Sequence, residues 1–232
     1  MPLKSTPQRV LNVLIMLIFA LVLGNIYSIL NYHYTGNTKG LFKLLNFDLE
    51  NNIPTYYSVI TLFLCFILLL FITYVRKKAG LSYYLWFILS LCFLFISFDE
   101  CIEIHERVAV FLRDKFALTG ILYYAWVIPY GILLMVFALV YYFKFLLKLP
   151  RKTQRLFLAS GFIYVIGAIG FELLAGIFHN PLNKMNNTTS ILYTFEESLE
   201  MIGIALFIYA LLLYITEELK VTISMQKTAS IH

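Results

Sequence analysis

Of the thirteen acidic residues in this 232-residue chain, eight fall in or beside three strongly apolar stretches. Asp99, Glu100, Glu103 and Glu106 close one of them, in the run Phe98-Asp99-Glu100-Cys101-Ile102-Glu103-Ile104-His105-Glu106. Glu172 stands in a second, seven residues before His179, and Glu196, Glu197 and Glu200 open a third. Carboxylates mixed with imidazole suit Zn, Mn or non-haem Fe. A carboxylate beside such an ion can act as general base toward water that the ion makes more acidic. The candidate metal ligands are Asp99, Glu103, His105, Glu106, Glu172, His179, Glu196 and Glu200, with Glu106 and Glu172 as candidate catalytic bases. The expected cofactor is a divalent metal ion. No familiar motif spacing accompanies these residues. The Glu-x-x-His pairs of ferritin-like di-iron proteins are absent, and Glu103-x-x-Glu106 and Glu197-x-x-Glu200 stand instead.

Composition defines what must position these groups. The chain is 61% hydrophobic and 13% charged, with a mean hydropathy of +0.81. Soluble domains average about 45–50% apolar and about 25% charged, so too few charges are present to coat a globule. A soluble enzyme and a disordered chain are excluded. The net charge of +5 comes from lysines and arginines scattered among short loops. A nucleic-acid site would gather them into one patch, so no nucleic-acid partner is expected. Cys65, Cys92 and Cys101 are odd in number and lack paired spacing, which argues against a disulfide framework or a zinc ribbon.

Crossing the hydrocarbon takes about 20 mostly apolar residues. Six segments qualify, at about 10–30, 57–75, 82–106, 116–143, 156–178 and 191–215. They are unbroken apolar runs without the alternation of barrel strands. The expected fold is all-α: a single transmembrane domain of six helices, embedded in the lipid bilayer. The first span lacks a small-residue cleavage site and is read as an uncleaved helix. Twelve Lys and Arg fall on one side of this arrangement, among them Arg9, Arg76–Lys78 and the 144–155 group, and six on the other. Positive charge marks the cytoplasmic side, so both termini are expected inside the cell (plasma or inner) membrane.

Length then puts the acids in the membrane. Met201 to Ile215 is only 15 residues, about 22 Å of helix against about 30 Å of hydrocarbon. That span must reach back through Glu200 and Glu197. Leu156 to Phe171 is likewise too short without Glu172. All three acid groups fall toward the outer ends of their helices. Projected on a continuous helix, Asp99, Glu103 and Glu106 lie within about 60° of one another. Glu172 shares a face with Gly161, Ala168, Gly176 and His179, and Glu196 and Glu200 share one with Gly203; small residues mark close helix packing. A carboxylate at that depth costs a few kcal/mol or more unless paired, protonated, hydrated or bound to metal.

Plainer accounts also fit. The 99–114 segment can be an amphipathic helix in water, with Glu103 and Arg107 as an i,i+4 pair. His105 projects away from the acid face, and His179 can simply end its helix. The expectation is an outward-facing carboxylate/His site that binds metal, with hydrolysis or transfer on a membrane-embedded or envelope substrate. A cation or proton transporter, and a non-catalytic assembly subunit, are the alternatives.

Overall fold

The computed structural model of the protein describes residues 6–36, 38–179 and 186–219, and these are helical apart from short connections. Lys4, Lys184, Lys220 and Lys227, counted above for orientation, lie outside the described residues.

The chain begins with α1 (Thr6–Thr35) and a short α2 (Leu41–Leu45). Next come the antiparallel pair α3 (Ile53–Lys78) and α4 (Tyr84–Ile102), then α5 (Ile104–Phe116). After a 3-10 turn at Gly120–Leu122 come α6 (Val127–Lys144) and α7 (Arg151–Val165). A π-helical segment, Ile166–Phe171, leads without interruption into α8 (Glu172–Phe178). The last helix is α9 (Asn187–Leu213), which ends in a second π segment, Tyr214–Leu219. Six of the resulting rods, counting α7 with α8 as one, are long and apolar enough to cross a membrane.

Local sequence sets several of these boundaries. Asn52 caps α3 by accepting from the Thr55 amide, with Pro54 in the first turn. At its other end, Gly80 adopts φ 69°. The Leu81 amide then reaches back to the Arg76 carbonyl and the Gly80 amide to Lys77. This Schellman closure needs a residue that tolerates positive φ.

At the centre is α9. Of its best apolar window 56% is buried, against 17% for α6. The α3–α4 pair, α1 and α7 pack around it. Leu62, Cys65, Leu69 and Ile72 of α3 meet Met201, Ile204, Ile208 and Leu211 of α9 in a fully buried core. The basic termini of the helices gather at one end of the bundle, where Arg76 donates to the Tyr214 hydroxyl at 2.7 Å and Lys152 to Glu217 at 2.8 Å. Asp48, Glu50, Asp99, Glu100, Glu172, Glu196, Glu197 and Glu200 gather at the other.

Two expected helices divide. The segment 82–106 breaks at Glu103, which takes the left-handed conformation at φ 56°. The second piece, α5, therefore starts on a new axis. The segment 116–143 is helical only from Val127. Ala117 (φ 51°) stops α5, and Gly120 (φ 60°) turns the chain into the 3-10 element. An apolar run cannot reveal either break, because hydropathy does not register φ.

Candidate functional site

Asp99 organises the acidic end. It is 7% exposed and accepts from three donors: the His105 amide at 3.0 Å, the His105 Nδ1 at 2.9 Å and the Tyr130 hydroxyl at 3.0 Å. Glu103, at the N-cap position of α5, makes no capping bond. Asp99 supplies it instead from the preceding helix, satisfying one of the amides that every helix start leaves open. The same carboxylate fixes the imidazole. The break at Glu103 thus turns His105 toward Asp99. Projection along one unbroken helix puts it on the opposite side, and the change of axis overturns that expectation.

His105 stands edge-on to Trp126, with ring centroids 5.2 Å apart. Burial opposes charge on the ring, but the hydrogen bond and charge of Asp99, with Glu100 and Glu172 beyond it, prevail and lift its pKa to about 10. Trp126 Nε1 in turn donates to Glu172 Oε1 at 3.2 Å. Glu172 is 8% exposed, and it opens α8 at the point where the π segment ends. A π turn rotates the downstream helix relative to the one before it. For that reason the expected stripe of Gly161, Ala168 and Gly176 is not one face. Gly161 has open space beside it, whereas Gly167 is pressed against α9. A Cβ on Gly167 would lie 2.9 Å from the Glu196 carbonyl oxygen and 3.0 Å from Glu200 Cγ. Gly203 packs as tightly on Ser160 and Tyr164.

Glu196 is 8% exposed. Its Oε2 is buried with no hydrogen-bond partner among the described residues, and its charged neighbours are Glu172, Glu200 and Glu197. Half-buried Glu100, Glu197 and Glu200 lie within electrostatic reach of one another and of His105.

A further wall comes from the first connecting segment. Asn25, in α1, accepts from the Phe47 amide at 2.9 Å and donates to Thr194 of α9 at 2.8 Å. Asn52 donates to the Asn46 carbonyl at 2.6 Å. These bonds and buried Phe42 and Phe47 fold residues 38–52 down onto the bundle. Asp48 and Glu50 then face the acids. Burial, with Glu106 and Glu50 nearby, pushes Asp48 up to about 7. Burial and Glu106 do the same to Glu50, against His105 and the Thr55 hydroxyl.

The remaining candidates lie toward the rim. Glu103 accepts from Asn51 at 2.6 Å, and Glu106 is exposed on α5. His179 stacks on Tyr123 at 3.9 Å, and Arg113 lies over that same tyrosine ring. Cys101 is exposed. Among the described residues no three His, Cys, Asp or Glu side chains stand close enough together to hold a metal ion as placed. Sequence reasoning noted Glu100 and Glu197 but left them out of the ligand pool, and it passed over Asp48, Glu50, Trp126 and Tyr130 as site residues. The only signal for the loop acids was the asparagine-rich Asn46 to Asn52 stretch, which favours turns.

Six long apolar helices with polar groups collected at one end define a multi-pass integral membrane protein. Residues 11–215 match the family model described as a domain of unknown function, DUF8692. The chain belongs to that family. No curated protein and no solved structure matches it.

Proposed function

We propose that the protein is a membrane-embedded, metal-dependent hydrolase or transferase, with a one-sided centre that takes its substrate from the membrane or the adjoining envelope. The observation that carries this reading is the hold of Asp99 on His105. A bond to Nδ1 leaves Nε2 as the nitrogen available for chemistry, and imidazoles that ligate metals or act as bases are commonly held in this way. Carboxylates from α4, α8, α9 and the 38–52 segment lie within electrostatic reach of the ring. A bound divalent ion would offset their mutual repulsion and supply a Lewis acid for a substrate oxygen. Glu172, Glu196 and Glu200 are the groups best placed to hold it, after small side-chain movements. His105, which Asp99 keeps protonated at neutral pH, is the candidate general acid, and Asp99 is its positioning residue. The charge count supports an acidic end facing outward and both termini in the cytoplasm.

Transport through the bundle is the second reading. Packing at the basic end argues against it. Trp86 is enclosed there by Tyr214, Phe145 and Phe157, and the hydroxyls of Thr61 and Ser160 donate to carbonyls of their own helices. The test is elemental analysis of protein purified without chelators. About one equivalent of Zn, Mn or Fe per chain is expected, reduced in Glu172→Ala. Wild-type protein free of stoichiometric metal would remove the reading.

A further inference from the structure

The corner between α8 and α9 presents an unusual pair. Glu172 and Glu196 are each more than nine-tenths buried, and each is a charged neighbour of the other. Their surroundings differ. Glu172 has one oxygen tied to Trp126 Nε1. Glu196 Oε2 is buried with no hydrogen-bond partner among the described residues, although the two side chains are within hydrogen-bonding reach of each other. A buried oxygen left without a donor costs about 1–3 kcal/mol, and more if charged. Two such carboxyls side by side either share a proton or hold a cation between them.

The backbone around them is built for close approach rather than for relief. Gly167 brings the π segment against the carbonyl of Glu196 and the amide of Glu200, so α8 cannot recoil without losing that contact. Two aromatic hydroxyls of this corner are already engaged with each other: Tyr124 and Tyr193 share a hydrogen bond of 2.5 Å. Lysine and arginine do not figure among the principal charges acting on Glu196.

We propose that Glu172 and Glu196 form a discrete two-carboxylate seat for one divalent cation, with Glu200 one turn further along α9 as an outer ligand and Trp126 as the residue that orients Glu172. This locates the ion within the metal-dependent centre proposed above and rests on that reading. Two carboxylates with water completing the shell suit a hard, oxygen-preferring ion such as Mg²⁺ or Mn²⁺ better than Zn²⁺, whose structural sites use four protein ligands. His105 packs edge-on against Trp126, and the seat proposed here does not use it as a ligand.

The experiment is a Mn²⁺ titration of chelator-stripped, full-length protein in nanodiscs, monitored by electron paramagnetic resonance, with Mg²⁺ as competitor. Wild type is expected to bind one Mn²⁺, displaced by excess Mg²⁺. Glu196→Gln, an isostere that keeps the packing, should weaken binding more than about 100-fold. Trp126→Phe should weaken it about 10-fold while leaving the metal-free melting temperature within the range of Gly161→Ala, whose new side chain meets open space and which keeps wild-type affinity. Glu196→Asp guards against misfolding and should retain partial binding. Stoichiometric Mn²⁺ with unchanged affinity in folded Glu196→Gln overturns the seat but not the metal-dependent centre. Absence of Mn²⁺ binding to wild type overturns the seat and means that the two carboxyls share only a proton, whereas the metal-dependent centre falls only if elemental analysis also finds no stoichiometric metal.

Discussion

Asp99 is the residue on which most of the acidic end depends. It caps α5, holds His105 and takes the Tyr130 hydroxyl, all from within the end of α4. Hydrogen bonds to a charged group are worth about 1.5–3 kcal/mol, and a helix cap about 0.5–2. Asp99→Ala is therefore expected to lower stability by about 2–4 kcal/mol, with Tyr130→Phe costing about 1. Unfolding measured in a lipid or detergent system of fixed composition checks both. Equal effects of the two variants would mean that Asp99 is only one contact among many. From sequence, Asp99 and His105 were visible as candidates, but their pairing was not. Six residues apart on an ideal helix they point in different directions, and only the left-handed Glu103 brings them together. The same break left Glu103 and Glu106 at the rim, although a continuous helix would have carried them along the face of Asp99.

Elements show a similar division between what pattern carries and what it hides. The apolar runs gave every spanning rod, because about 20 apolar residues are needed whatever their detailed geometry. Ends moved outward, as in α1 and α3, where polar residues continue the helix past the apolar window. The π segment was invisible, since one additional residue per turn leaves composition unchanged, yet it decides which glycines matter. Gly167→Ala must push its new Cβ into the Glu196 carbonyl and is expected to destabilise by about 1–3 kcal/mol. Gly161→Ala has free space and should stabilise by up to about 1 kcal/mol through helix propensity. Thermal unfolding of the two variants separates these signs. The loop was the largest omission. Residues 38–52 read as a polar connection, but Asn25, Asn46 and Asn52 pin them to the bundle. Asp48 and Glu50 have folded-state pKa values near 7, above their ordinary values. A raised carboxyl favours folding below its ordinary pKa, and that contribution is lost as pH climbs through about 7. Amides of 41–49, corrected for intrinsic exchange rate, should thus lose protection between about pH 4 and about 7. Replacing Asp48 with Asn and Glu50 with Gln should flatten that profile.

At the scale of the whole molecule, the two ends are chemically opposite and the middle is closed. The acidic end gathers carboxylates from α4, α5, α8, α9 and the 38–52 segment around His105. The basic end is stoppered by Trp86, Tyr141, Phe145, Phe157 and Tyr214, with Arg76 over the Trp86 ring. Between them, Leu62, Leu69, Met201, Ile208 and Leu211 are fully buried. An ion passing through would have to leave its water and oxygen ligands for this apolar core, at a cost of several kcal/mol or more. Buried carboxylates at only one end of the described bundle favour chemistry at a surface, where substrate arrives and leaves by the same opening. Reconstituted liposomes should accordingly show no proton or Mn²⁺ flux above protein-free vesicles, in wild type and in Glu200→Gln alike. Flux in wild type that disappears in Glu200→Gln would require the core to open along α9, and would make the acidic end the mouth of a transport path rather than a reaction centre.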